Sequence, residues 1–225
     1  MLDIFEILGP VMVGPSSSHT AGAVRIGLMA RTLLGGTPKQ AHIALHGSFA
    51  ETGLGHGTDR ALIAGLLGMR PDDLRIPHSF SIAREQGLEF DFREVQLKEA
   101  HPNTAVLELT GPGGERLKLQ ASSVGGGRIH ADYLDDIAVD FTGDFNTLII
   151  HSVDISGELA EVTGILSDGG INIANMSVFR SRRGGKVLMV IETDQNVPLP
   201  VRTRLSGLEH VQGLSYYERE DTSGV

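Results

Sequence analysis

Apolar residues along the chain recur with two periods, and the switch between them divides it into elements. Ala23, Ile26, Ala30 and Leu33 follow helical spacing and are closed by Gly35-Gly36, which predicts an amphipathic helix with a glycine stop. Leu62, Ile63, Leu66 and Leu67 form a second buried stripe, ended by Gly68. Asp3–Leu8 reads as a short helix stopped by Gly9-Pro10. Gln40–His46, Leu88–Leu97, Thr104–Thr110 and Arg116–Ser122 read as strands joined by connections rich in Gly, Pro and Asn.

Beyond Asp140 the pattern tightens. Thr147–Val153 is a strand, and Leu159, Val162 and Leu166 share a helical face that Ser156 can cap and Gly169-Gly170 can close. Met176–Ser181 and Lys186–Thr193 are β-rich runs around Arg182-Arg183-Gly184-Gly185, a hairpin signal. Val201, Leu205 and Leu208 make another helical stripe before a last strand, Val211–Glu218. The order βαββαβ is the ferredoxin-like split motif. The expected fold class is α+β in two domains, 1–142 and 143–225, with the boundary in Val139–Asp144.

Composition narrows the function. Hydrophobic residues make up 40% of the 225 and charged residues 21%, enough for an ordinary core. The net charge of −9 comes without any basic block, which disfavours nucleic acid as a partner. No apolar run reaches the ~18–20 residues that span a membrane, and Met1–Pro10 carries Asp3 and Glu6 in place of a basic leader. A soluble cytoplasmic protein is expected. With 0 Cys, the chain has no disulfide, no thiolate nucleophile and no cysteine ligand for zinc or an iron–sulfur centre. H-E-x-x-H, Walker and G-x-S-x-G patterns are absent too.

Three polar segments remain as candidate chemistry. Ser16, Ser17, Ser18, His19 and Thr20 stand directly before a helix, where hydroxyls, unpaired N–H groups and the positive dipole end suit a carboxylate or phosphate and disfavour a protonated His19. The plainer reading is one capping serine in a solvated loop. His56 lies between Gly55 and Gly57, which bring the backbone close to a ligand. Thr58 can cap the next helix, and Asp59 sits well in its first turn. Histidine is the side chain most readily tuned to act as a base near neutral pH, although an exposed loop histidine reads equally well. Ser122-Ser123-Val124-Gly125-Gly126-Gly127 could form an anion nest or a flexible turn.

Gly14-Pro15-Ser16-Ser17-Ser18-His19-Thr20-Ala21-Gly22-Ala23, Gly55-His56-Gly57-Thr58-Asp59-Arg60-Ala61 and Ser123–Gly127 resemble the beta part of iron–sulfur L-serine dehydratases. The second half is similar to an ACT domain, with Ser156-Gly157-Glu158-Leu159-Ala160 and Gly170-Ile171-Asn172-Ile173 in place. The order of both fits the beta chain of the two-chain type, whose alpha chain bears the cysteines. The resemblance implies that L-serine is deaminated to pyruvate and ammonia by a lyase whose 4Fe-4S cluster, with one open iron acting on the serine hydroxyl, belongs to that alpha chain. It implies His56 and His19 as catalytic residues, either of which could be the base. Ser16, Ser17, Ser18, Thr20, Asp59, Gly125 and Gly126 would bind substrate. Gly157, Leu159 and Asn172 would bind an effector, and the ACT domain would pair with a second copy. A second resemblance, to the allosteric substrate-binding domain that precedes an ACT domain in some D-3-phosphoglycerate dehydrogenases, implies instead a regulatory serine- or anion-binding module without catalysis.

Overall fold

The computed structural model describes residues 12–14, 16–51, 57–180 and 182–219. The chain forms two compact units, one ending at Asp136 and the other beginning at Ile137.

In the first unit, residues Ser17–Gly22 wind as a single wide π turn that runs without a break into helix α1, Ala23–Leu34. The segment that reads as a polar loop in sequence is therefore the first turn of a helical element. Ala23, Ile26, Met29 and Ala30 of α1 are fully buried, as the apolar stripe requires. Gly35 closes the helix in the left-handed conformation (φ +92°), and its N–H reaches back to the last-turn carbonyls. Strand β1 (Gln40–His46) follows, then helical residues 48–51, then helix α2 (Thr58–Leu66).

Thr58 does not cap α2. The cap position belongs to Gly57, left-handed at φ +73°, and Thr58 is already inside the helix. A short helix α3 (Ser79–Glu85) lies in a stretch with no strong apolar period, and its Ser79 hydroxyl donates to the Arg60 carbonyl. Strands β2 (Glu89–Glu94), β3 (Thr104–Thr110), β4 (Arg116–Gly125) and β5 (Arg128–Leu134) complete a sheet of order β2-β1-β3-β4-β5, and β6 (Ile137–Phe141) opens the second unit. Strands β1 and β2 pair in parallel, and α2 and α3 lie on the crossover between them.

The second unit holds β7 (Asn146–Val153), α4 (Glu158–Asp168), β8 (Ile173–Arg180), β9 (Lys186–Thr193), α5 (Leu199–Ser206) and β10 (Val211–Tyr217). Its sheet is antiparallel with order β10-β7-β9-β8, the ferredoxin-like arrangement. Leu148 and Ile150 of β7 pack with Met189 and Ile191 of β9 against Val162, Leu166, Val201 and Leu205 from the two helices. Ser156 does not cap α4: Gly157 does, at φ +95° and without any side-chain bond. The fold is α+β in both units.

Candidate functional site

The π turn is built around Ser16. Its hydroxyl oxygen accepts the backbone N–H of His19 at 3.1 Å, and its carbonyl accepts the N–H of Thr20 at 2.9 Å. The same hydroxyl stands 3.2 Å from His19 Nδ1. His19 Nε2 is 3.1 Å from the hydroxyl of Ser48, and the ring meets Phe49 edge-on with centroids 5.5 Å apart. Both ring nitrogens thus face hydroxyl groups. Wide turns inside helices are rare and are found frequently at functional sites.

Ser48 and Phe49 reach the histidine because Gly47 turns the chain sharply at the end of β1. Its φ is +55°, and a Cβ there would stand 2.6 Å from the Pro102 carbonyl oxygen. Residues 48–51 then wind back over that corner, with the N–H groups of Ala50 and Glu51 on the Gly47 carbonyl. Neither Ser48 nor Phe49 carries a motif, and only Gly47 beside a polar residue at a strand end hints at them.

Thr20 and Thr58 are buried, and among the described residues the hydroxyls of both lack a hydrogen-bond partner. So does that of Ser123, on β4. The π turn packs against both α2 and β4. Gly22 permits the second contact, since a Cβ there would fall 2.0 Å from Ser123 Oγ. The turn thus carries Thr20, and the two elements packed against it carry Thr58 and Ser123. Ser123 belongs to the Ser122–Gly127 segment that sequence offers as an anion nest, whereas Thr58 is expected from sequence only as a helix cap.

Ser17 and Ser18 are half-buried in the turn. Asp59 is buried in the first turn of α2 and accepts the N–H of Arg60 at 2.8 Å. Gly125, Gly126 and Gly127 all have positive φ, and Gly125 pairs with Arg128. Gly126 and Gly127 are therefore the central residues of a two-residue hairpin loop, whose positive φ values suit a type I′ turn. Arg25 of α1 donates to the Gly127 carbonyl at 2.9 Å and ties this loop to the helix that follows the π turn. His56, expected as a catalytic residue, lies outside the described residues, as does the Asp3–Leu8 helix.

The expected effector residues do not converge within one chain. Gly157 and Leu159 begin α4, whereas Asn172 follows its end, and 11 helical residues separate them by about 16 Å. Leu159 is 46% exposed, but the Asn172 side chain is engaged, its amide donating to the Asp194 carboxylate. Beside Gly157, the buried Glu158 carboxylate points an unpartnered oxygen at His210 Nε2, 3.8 Å away. Among the described residues, no cluster of three His, Asp or Glu side chains could hold a metal ion.

A helical turn with a hydroxyl-bound histidine thus lies in one α+β unit, and a βαββαβ unit follows it in the chain. Residues 1–86 match the family described as Serine dehydratase beta chain, and residues 146–210 match the ACT domain. The chain is similar to a probable L-serine dehydratase beta chain of Bacillus subtilis, with 41% identity over 92% of this chain and 94% of that one. It is 36% identical to the L-serine dehydratase beta chain of Peptoniphilus asaccharolyticus, over 95% of this chain and 97% of the other. An L-serine dehydratase of Helicobacter pylori is 30% identical over 72% of this chain, but only 39% of that longer protein is covered. The chain belongs to the serine dehydratase beta-chain family, with an ACT domain at its C-terminal end.

Proposed function

We propose that this chain is the beta subunit of a two-chain L-serine dehydratase and supplies one wall of its active site. The observation that carries the reading is the π turn, where His19 has a hydroxyl at each ring nitrogen and where the elements packed against the turn, α2 and β4, carry the buried hydroxyls of Thr58 and Ser123. L-serine brings a carboxylate, an ammonium and a hydroxyl, and buried hydroxyls without partners gain most from such a ligand. Ser16, Ser17, Ser18, Thr20, Asp59 and the Gly125-Gly126 loop are assigned to holding it.

In the reaction the α-proton passes to a base and the β-hydroxyl leaves as water, giving aminoacrylate, which tautomerises and hydrolyses to pyruvate and ammonia. His19, with both ring nitrogens facing hydroxyls, suits an orienting role, and His56 is assigned as the base. A 4Fe-4S cluster does not fit this chain's donors, because there is no Cys at any position. Its ligands fall to an alpha chain, and the beta chain alone is expected to be inactive.

The ACT domain is assigned to pairing with a second copy. Gly157 and Leu159 stand at the opposite end of α4 from Asn172, so an effector held by all three needs residues from two copies. The regulatory alternative, a module like the allosteric domain of D-3-phosphoglycerate dehydrogenases, needs binding without turnover. Mixing the chain anaerobically with its cysteine-bearing partner tests both. Serine-dependent pyruvate from the mixture, and from neither chain apart, supports the enzyme. Serine binding with no turnover in the mixture overturns it.

A further inference from the structure

The hydroxyl of Ser16 has two partners on His19, the backbone N–H at 3.1 Å and Nδ1 at 3.2 Å. The first contact uses the oxygen as acceptor. Its single proton is then left to point at Nδ1, and a nitrogen that accepts a hydrogen bond carries no proton of its own. In a neutral ring the proton must then reside on Nε2, and Nε2 faces Ser48 Oγ at 3.1 Å. Ser48 is therefore the acceptor that completes the arrangement. Its position is set by the left-handed Gly47 at the end of β1 and by the fully buried Phe49 beside it, which also supports the imidazole edge-on.

We propose that Ser48 is a positioning residue for the dehydratase reaction: by accepting the Nε2–H it holds His19 in one tautomer and one orientation. This rests on the assignment of His19 to the active site. The tautomer of a histidine is set by the bond its other nitrogen makes, and here each nitrogen has its own serine. Removing the Ser48 hydroxyl takes away the acceptor that fixes the Nε2 proton, so the ring can turn or exchange its proton between nitrogens.

Long-range 1H–15N spectra of the full chain labelled at histidine nitrogen read the tautomer directly, with His19 assigned by its loss in His19→Gln. The wild-type ring should show protonated Nε2 and unprotonated Nδ1. A protonated Nδ1 in the wild type overturns the proposal without any variant of Ser48. Ser48→Ala should shift His19 towards mixed tautomers and, in the reconstituted two-chain enzyme, lower kcat about tenfold with KM little changed. Ser48→Thr, which keeps the hydroxyl, should restore both the spectrum and the rate. Unchanged His19 nitrogens in Ser48→Ala overturn the pairing. Altered nitrogens with unaltered kcat, while His19→Gln is inactive, overturn the positioning role. Normal turnover by His19→Gln instead removes His19 from the proposed active site, and the spectra still decide the pairing by themselves.

Discussion

Gly27 of α1 and Gly65 of α2 meet backbone to backbone. A Cβ on Gly65 would stand 2.1 Å from the Val24 carbonyl oxygen and 2.8 Å from the Gly27 Cα, and one on Gly27 would stand 2.3 Å from the Leu62 carbonyl oxygen. Backbone atoms cannot yield as a side-chain tip can, so a methyl at either position forces the helices apart. The π turn that leads into α1 also packs against α2, so its place depends on the same crossing. Gly65→Ala should cost about 1–3 kcal/mol in urea unfolding of the chain. It should also lower the activity of the two-chain enzyme under conditions where the variant remains folded.

The orphan hydroxyls predict opposite effects on stability and on activity. Thr58 Oγ1 and Thr20 Oγ1 are buried, and among the described residues neither has a hydrogen-bond partner. Replacing a threonine by the isosteric valine removes an unsatisfied group. Thr20→Val and Thr58→Val should leave the stability of the isolated chain unchanged or raise it by about 1 kcal/mol. If the substrate is the partner of these hydroxyls, as proposed, each change should reduce kcat/KM in the assembled enzyme by about tenfold or more. Thermal unfolding and steady-state kinetics on the same preparations read the two effects. A stability loss without a kinetic change would make these hydroxyls structural.

Much of this is legible in the order of residues. The stripes of α1, α2 and α4 and strands such as Gln40–His46 and Lys186–Thr193 follow from period alone, because each buries one face against a layer that repeats the same pattern. Strands β5 and β6 do not announce themselves. Arg128–Leu134 mixes His130, Asp132 and Tyr133 among its apolar residues, and that polar face serves a chain of bonds from Thr104 through Ser122 to Asp132 and His130. Ser156 and Thr58 look like helix caps for their residue type, yet a left-handed glycine next door takes the position in both helices. Of the site, the serine run and His19 are visible as a motif. Ser48 is not, since a lone serine at a strand end has no signature until the fold brings it to a histidine.

The glycine loop separates backbone need from ligand contact. Gly126, exposed at φ +61°, occupies the first central position of the β4–β5 turn, where asparagine is also well tolerated. Gly126→Asn should leave thermal stability nearly unchanged, whereas Gly126→Val should cost about 1–2 kcal/mol, because a branched side chain opposes a left-handed backbone. If the loop's backbone approaches the substrate as proposed, Gly126→Asn should still lower kcat/KM by crowding it. Equal activity for Gly126→Asn and wild type would assign the loop to the turn alone.

Tyr216 links alkaline pH to the stability of the second unit. Burial, the largest influence on its hydroxyl, raises its pKa above that of a free tyrosine, although the Val197 N–H opposes the shift. The hydroxyl accepts that N–H at 3.0 Å and donates to Asn196 Oδ1 at 3.1 Å, while the Arg202 guanidinium lies 4.6 Å from the ring centre. A raised folded-state pKa means the folded chain keeps the phenol proton after the unfolded chain has begun to release it. The contribution is therefore complete below the unfolded value of about 10 and fades as pH climbs through the higher folded value. Tyr216→Phe should cost about 1 kcal/mol near neutral pH by leaving the buried Val197 N–H without its acceptor. The wild-type advantage over the variant should shrink as denaturation midpoints are followed above about pH 10. An advantage that stays constant across that range would show that the proton on Tyr216 is not what the fold responds to.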